Sequence, residues 1–177
     1  MTFARCASFA VLTAAFAASA AQTQAAAERI ASHNDWTVFV AGEPKECYIV
    51  SQPTSSKATR DGKAVEVDRG DIRLFVRFNP SENVKNEVSF TGGYPLRAGT
   101  AVKVALGSET FSLNPGPGDA SGWAWPSAAD DARMVASMRR GSTAVVTGVS
   151  SRGTTTVDNF SLSGFTAAVN EAESRCK

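Results

Sequence analysis

The side chains able to do chemistry are few, and their spacing narrows what that chemistry would be. His33 is the single histidine, and it sits in a polar stretch over residues 28–35 that reads as a mobile lead-in. A Ser-His-Asp site needs its imidazole held between acid and nucleophile, so none is expected here. Metal chemistry is equally short of donors, because one histidine and two cysteines expected to pair leave only carboxylates. Asp61-Gly62, Asp68-Arg69-Gly70-Asp71 and Asp130-Asp131 lack the spaced oxygens of an EF-hand loop and read as turn and cap residues. Gly92-Gly93 and Gly116-Pro117-Gly118 lack the Lys and the Ser or Thr that close a phosphate-binding loop, so neither a nucleotide nor another cofactor is expected. The 17 acidic residues leave one catalytic route open, a pair of carboxylates from separate strands acting on a polymer, since such partners meet only in the fold.

Two stretches remain as candidates for a ligand surface. In Trp123-Ala124-Trp125 the indoles fall on one side of an extended chain, where they would stack on a sugar or a peptide. The plainer expectation is that one or both plug the core beneath the Pro/Gly-rich loop over residues 114–122. Over residues 71–78, Ile72, Leu74, Val76 and Phe78 alternate with Arg73, Phe75 and Arg77. One face of that strand is core, and the other offers two arginines around a phenylalanine, either as a ligand surface or, more plainly, as a solvated outer face.

The elements that must position these groups are short. Strand-prone runs at residues 36–40, 47–50, 71–78, 87–91, 100–106, 109–113, 143–149 and 154–162 are separated by turn signals such as Gly42-Glu43-Pro44, Asn79-Pro80, Gly92-Gly93-Tyr94-Pro95 and Ser151-Arg152-Gly153. Residues 51–71 read as a long exposed loop with a turn at Asp61-Gly62 and a short strand over 64–67. Ser127-Ala128-Ala129-Asp130 has capping-box spacing, with an acid for the commoner Glu or Gln, and opens a helix that Gly141 stops. Phe165, Val169, Ala172 and Cys176 recur at offsets of four, three and four, which predicts a closing helix whose apolar stripe ends in a thiol. Roughly eight or nine short strands without strand–helix alternation predict a mainly β fold, an antiparallel β-sandwich or strongly curved open barrel with one short internal helix and a C-terminal helix.

The first 27 residues follow a different logic. Arg5 supplies a positive n-region and residues 6–18 an Ala-rich apolar run followed by small residues, the pattern of a secretory signal peptide cleaved after Ala27 or, alternatively, after Ala20. That apolar run is too short for a permanent membrane anchor, so no transmembrane segment is expected in the mature chain. Removing 27 of the 177 residues leaves 150, residues 28–177, a size suited to one domain. The cut removes one basic residue of 18 and none of the 17 acids, leaving 17 of each and a formal charge of zero. A neutral chain with alternating charges excludes nucleic acid as the expected partner, because that partner calls for a concentrated positive field. Export to an oxidising compartment makes a disulfide the expectation between Cys47 and Cys176, which are 129 positions apart; the chain-entropy model allows it about 4 to 5 kcal/mol.

Trp36-Thr37-Val38, Cys47-Tyr48, the run VVTGVSSRGT from Val145 and above all FSLSGFTAAVNEAESRC from Phe160 carry a resemblance. From about Trp36 to Cys176 the chain resembles the invasion-associated locus B family, small exported proteins of Gram-negative bacteria named for a locus linked to host-cell invasion. The resemblance implies a β-rich fold, a periplasmic or secreted location and a binding role toward an envelope component or a host-surface molecule. It agrees with the Cys47–Cys176 pairing and carries no catalytic residues onto this chain. The expectation is an exported non-enzymatic binding protein of the bacterial envelope. Its alternatives are an envelope-polymer hydrolase or lyase using acidic residues, and a structural or chaperone-like protein of envelope maintenance.

Overall fold

The computed structural model describes residues 26–177. The signal peptide read at residues 1–27 therefore lies, apart from Ala26 and Ala27, outside the described residues. The chain runs through β1 (Glu28–His33), β2 (Trp36–Ala41), β3 (Glu46–Ser51), β4 (Ser55–Arg60), β5 (Lys63–Ala64), β6 (Arg73–Asn79), β7 (Val84–Thr91), β8 (Val102–Leu106), β9 (Glu109–Pro115), β10 (Trp123–Trp125), α1 (Ala128–Arg140), β11 (Thr143–Val149), β12 (Thr155–Ser161) and α2 (Phe165–Arg175). Every strand pairing is antiparallel, in one sheet ordered β1-β2-β3-β6-β7-β10-β9-β8-β11-β12-β4-β5. The sheet is strongly bent and does not close. Phe90 on β7 meets Phe160 on β12 edge to face at 6.3 Å, although three strands separate β7 from β11 and four separate it from β12 in the sheet order. The mainly antiparallel β fold expected from the sequence is the one present, with both predicted helices; between the two forms left open there, the strands make one sheet that does not close into a barrel.

Alternation builds the core. Leu74, Val76 and Phe78 of β6, Cys47 and Ile49 of β3, and Val102 and Val104 of β8 point inward and are buried, while their neighbours point out. Against this inner face α1 sets Met134, Val135 and Met138, and α2 sets Phe165, Ala168, Val169 and Ala172. Where β10's pairing with β7 stops at Phe90, the carboxylate of Asp131 on α1 accepts the Val88 N–H at 2.9 Å. The helix thereby satisfies a strand donor that has run out of partner strand.

The two ends of the chain are tied together by α2. Trp36, fully buried, meets Phe165 edge to face at 4.9 Å and donates its indole N–H to the Ser161 carbonyl. His33 Nε2 donates to Glu171 Oε2 at 2.7 Å, and Lys45 Nζ to the Arg175 carbonyl at 3.1 Å. Cys47 and Cys176 complete the seam as a disulfide with Cα atoms 5.9 Å apart.

Several local expectations change. Residues 28–33 are not a lead-in but strand β1, and His33 is anchored by Glu171 instead of mobile. The loop over residues 51–71 contains the β4–β5 hairpin, whose second strand is Lys63–Ala64, not 64–67. Strands β1 and β4 lie at and next to the two ends of the sheet and contain no fully buried residue, so they carry no hydrophobic period; pairing alone makes them strands. The capping box does not form, because Ser127 Oγ donates to the Asp130 carboxylate at 2.7 Å and makes no side-chain bond to the helix backbone.

After β5 the chain crosses the sheet as an irregular strap over residues 65–72. Its Arg69 forms a two-pronged ion pair with Asp158, both contacts at 2.7 Å, and Asp158 is fully buried. Arg69 Nε donates to the Gly92 carbonyl at 2.8 Å, and the guanidinium lies 5.0 Å from the Tyr94 ring centre. The strap approaches Gly93 so closely that a Cβ there would lie 2.4 Å from the Gly70 oxygen. Within the stretch read as a turn, Arg69 thus holds a buried charge pair at the edge of the core.

Candidate binding groove

The outward residues of five neighbouring strands form one continuous feature. On β2 Phe39 faces out, on β3 Tyr48, on β6 Phe75, and on β10 both Trp123 and Trp125, all half-buried. Register places them side by side: Phe39 opposite Tyr48, Tyr48 opposite Arg77, and Arg73 and Trp123 both opposite Thr91. Phe39 and Tyr48 stack at 5.2 Å, Tyr48 and Phe75 lie 6.0 Å apart, Phe75 and Trp123 5.5 Å, and the two indoles stack at 6.3 Å. At about 4.8 Å between strands, the stripe crosses roughly 20 Å of sheet.

A groove of about 300 Å³ opens where β7 contributes only Ser89 between Phe75 and the indoles. The small side chain leaves the depression, and larger neighbours wall it. The loop before β10 holds Trp125 in place: a Cβ on Gly116 would lie 2.9 Å from the Trp125 ring and 2.7 Å from the Ala120 Cβ. Only glycine lets the Pro115-Gly116-Pro117 turn back the indole this closely.

The polar end of the groove is built around Arg77. Its guanidinium pairs with Glu82, reaches Glu46 at 3.3 Å and Glu87 at 3.6 Å. Burial opposes its charge, but the hydrogen bond to Glu82 and the fields of Glu87 and Glu46 outweigh that, so its pKa lies above the ordinary value. The Nε–H, although near Glu46, has no acceptor in hydrogen-bond geometry. Burial, followed by the Glu46 charge, raises the Tyr48 phenol, which stays neutral across the physiological range.

Of the four residues read as a ligand surface, Arg77, Trp123 and Trp125 share this groove. Arg73 does not. It pairs with Asp71 at 3.2 Å and lines a neighbouring hollow of about 540 Å³ with Phe39 and Val50, on the same sheet face. The expectation that the tryptophans plug the core is overturned: only Ala124 between them is fully buried, because β10's alternation turns its small residue inward. Phe39 and Tyr48 were missed, since each sits singly in its own strand and joins the stripe only through register. Among the described residues, no three His, Cys, Asp or Glu side chains gather in a metal-binding group.

Fold and groove together define a disulfide-clasped, open antiparallel β protein with a half-buried aromatic stripe on one sheet face. No helix among the described residues is long and apolar enough to cross a membrane; this and the disulfide are compatible with an extracytoplasmic protein. The chain belongs to the invasion-associated locus B family: the family model described as Invasion associated locus B (IalB) protein matches residues 36–173. This is not a known enzyme family. No curated protein and no solved structure matches the chain.

Proposed function

We propose that this chain is an exported, non-enzymatic binding protein of the bacterial envelope, released from a signal peptide over residues 1–27 and acting in the periplasm or after secretion. The observation that carries the reading is the half-buried aromatic stripe Phe39–Tyr48–Phe75–Trp123–Trp125, opening into the groove beside Arg77. Rings left half-exposed on a sheet face supply large apolar area at low entropic cost, and flanking charged groups orient what lies on them. The ligand is an envelope component or, given the family's link to invasion, a host-surface molecule.

The enzyme reading would use two carboxylates in one concave site. Glu46 and Glu87 do share the groove, but both are engaged with Arg77, which favours binding over acid–base work. A structural or chaperone-like role would instead show as altered envelope integrity on gene deletion with host adhesion intact.

Tryptophan emission provides the test, because Trp36 is fully buried whereas Trp123 and Trp125 line the groove. Titration with envelope glycans, peptides and lipids is expected to give a saturable change with one class, weakened about tenfold or more by Trp123→Ala or Trp125→Ala. If no class binds and the purified protein turns over a substrate instead, the reading fails.

A further inference from the structure

A second pocket lies away from the aromatic groove, where the β4–β5 hairpin, the strap over residues 65–72, the Gly93–Pro95 turn and the β11–β12 turn meet. It encloses about 200 Å³, below the roughly 300–1,000 Å³ typical of drug-sized ligands, and so matches a headgroup-sized molecule. Its lining differs in kind from the groove, being hydroxyl-rich and basic instead of aromatic.

Arg60 and Arg152 both line it, and neither has a carboxylate partner among the described residues. Arg60 donates from Nε and Nη2 to the buried Thr154 hydroxyl, at 3.1 and 2.7 Å. That hydroxyl, accepting twice, keeps its own proton for a further acceptor. Gly153, between the lining residues Arg152 and Thr154, has φ 89°, and a Cβ there would come within 2.9 Å of the Arg97 Nη2, so the turn is suited to glycine. The third lining arginine, Arg69, is neutralised by Asp158 and serves as wall. The only acid on the lining is Asp68.

We infer that this pocket binds a phosphate monoester group. Separate guanidinium groups and a hydroxyl approaching from different elements suit a tetrahedral oxyanion with three terminal oxygens, whereas a planar carboxylate is satisfied by one two-pronged fork. The same chemistry is presented by a soluble phosphate ester and by a phosphorylated lipid headgroup.

The test titrates the purified protein with inorganic phosphate against sodium chloride of equal ionic strength, and with phosphatidylcholine vesicles with and without phosphatidic acid. Variants are Arg60→Gln, Arg152→Gln and, as a control on β8 away from the pocket, Lys103→Gln. Saturable phosphate binding weakened about tenfold or more in both pocket variants, and unchanged in the control, supports the site and a soluble ester. Binding only to phosphatidic acid vesicles, with the same variant pattern, supports the site and a headgroup. Arg152 is exposed, so its loss tests the site even if Arg60→Gln disturbs folding. No binding beyond the chloride control in either arm, or binding that survives Arg152→Gln, overturns the inference.

Discussion

Gly164 is pressed against the backbone of His33. A Cβ at position 164 would lie 1.9 Å from the His33 carbonyl oxygen and 2.5 Å from its carbon, and Gly164 already holds φ at 85°. The turn before α2 therefore seats directly on the β1–β2 hairpin. Gly164→Ala is expected to cost about 2 to 4 kcal/mol, from left-handed backbone strain plus the forced separation of hairpin and turn. Ser163→Ala, which removes only the hydrogen bond from Asn34, should cost about 1 kcal/mol or less. Urea denaturation of the two variants checks this; equal losses would refute it.

The disulfide continues the same seam. Cys176→Ser is expected to lower the unfolding midpoint under oxidising conditions by up to about 4 to 5 kcal/mol in stability. Dithiothreitol should lower the wild type to a similar level and leave the variant unaffected. A variant as stable as wild type would remove the clasp from the account.

Asp158 and Arg69 should respond more sharply than any surface pair. Replacing fully buried Asp158 by Asn leaves the Arg69 guanidinium without its counter-charge, and a loss of about 3 to 5 kcal/mol is expected. Arg77→Gln, which breaks the more exposed cluster with Glu46, Glu82 and Glu87, should cost no more than about 1 to 2 kcal/mol. Thermal melts of both variants decide the order.

Asp131 links stability to pH. Burial, together with Glu87 and Asp130 and despite the Val88 hydrogen bond, raises its carboxyl from the ordinary 3.8 to about 6. Between these values the folded chain keeps a proton that the unfolded chain releases, so stability falls as pH rises from about 4 to about 6 and levels off above. The half-exposed carboxyl is screened, and on the order of 1 kcal/mol is expected. Asp131→Asn should flatten this decline. Glu171, lowered by the His33 hydrogen bond and then by Arg175, acts in the opposite sense: its contribution is lost as pH falls through its depressed pKa. Denaturation midpoints from pH 4 to 7, variant against wild type, isolate Asp131; parallel curves would refute its role.

Legibility followed burial. Strands with one buried face were legible in the residues alone, such as β6, where Leu74, Val76 and Phe78 alternate with polar or outward residues. So were both helices, the pairing of Cys47 with Cys176, and the membership signalled by the closing motif, because apolar period and cysteine count are local properties. Local pattern could not show β1 and β4, which contain no fully buried residue and are strands only because β2 and β12 offer them hydrogen bonds. It took the folded sheet to turn Trp123 and Trp125 outward, to extend them into a stripe with Phe39 and Tyr48, to set Arg73 apart from Arg77's groove, and to bring Arg69 to Asp158 across 89 positions. Those relationships depend on the register and bend of the whole sheet, which sets neighbours far apart in sequence; single-strand patterns carry no record of which strand lies beside which.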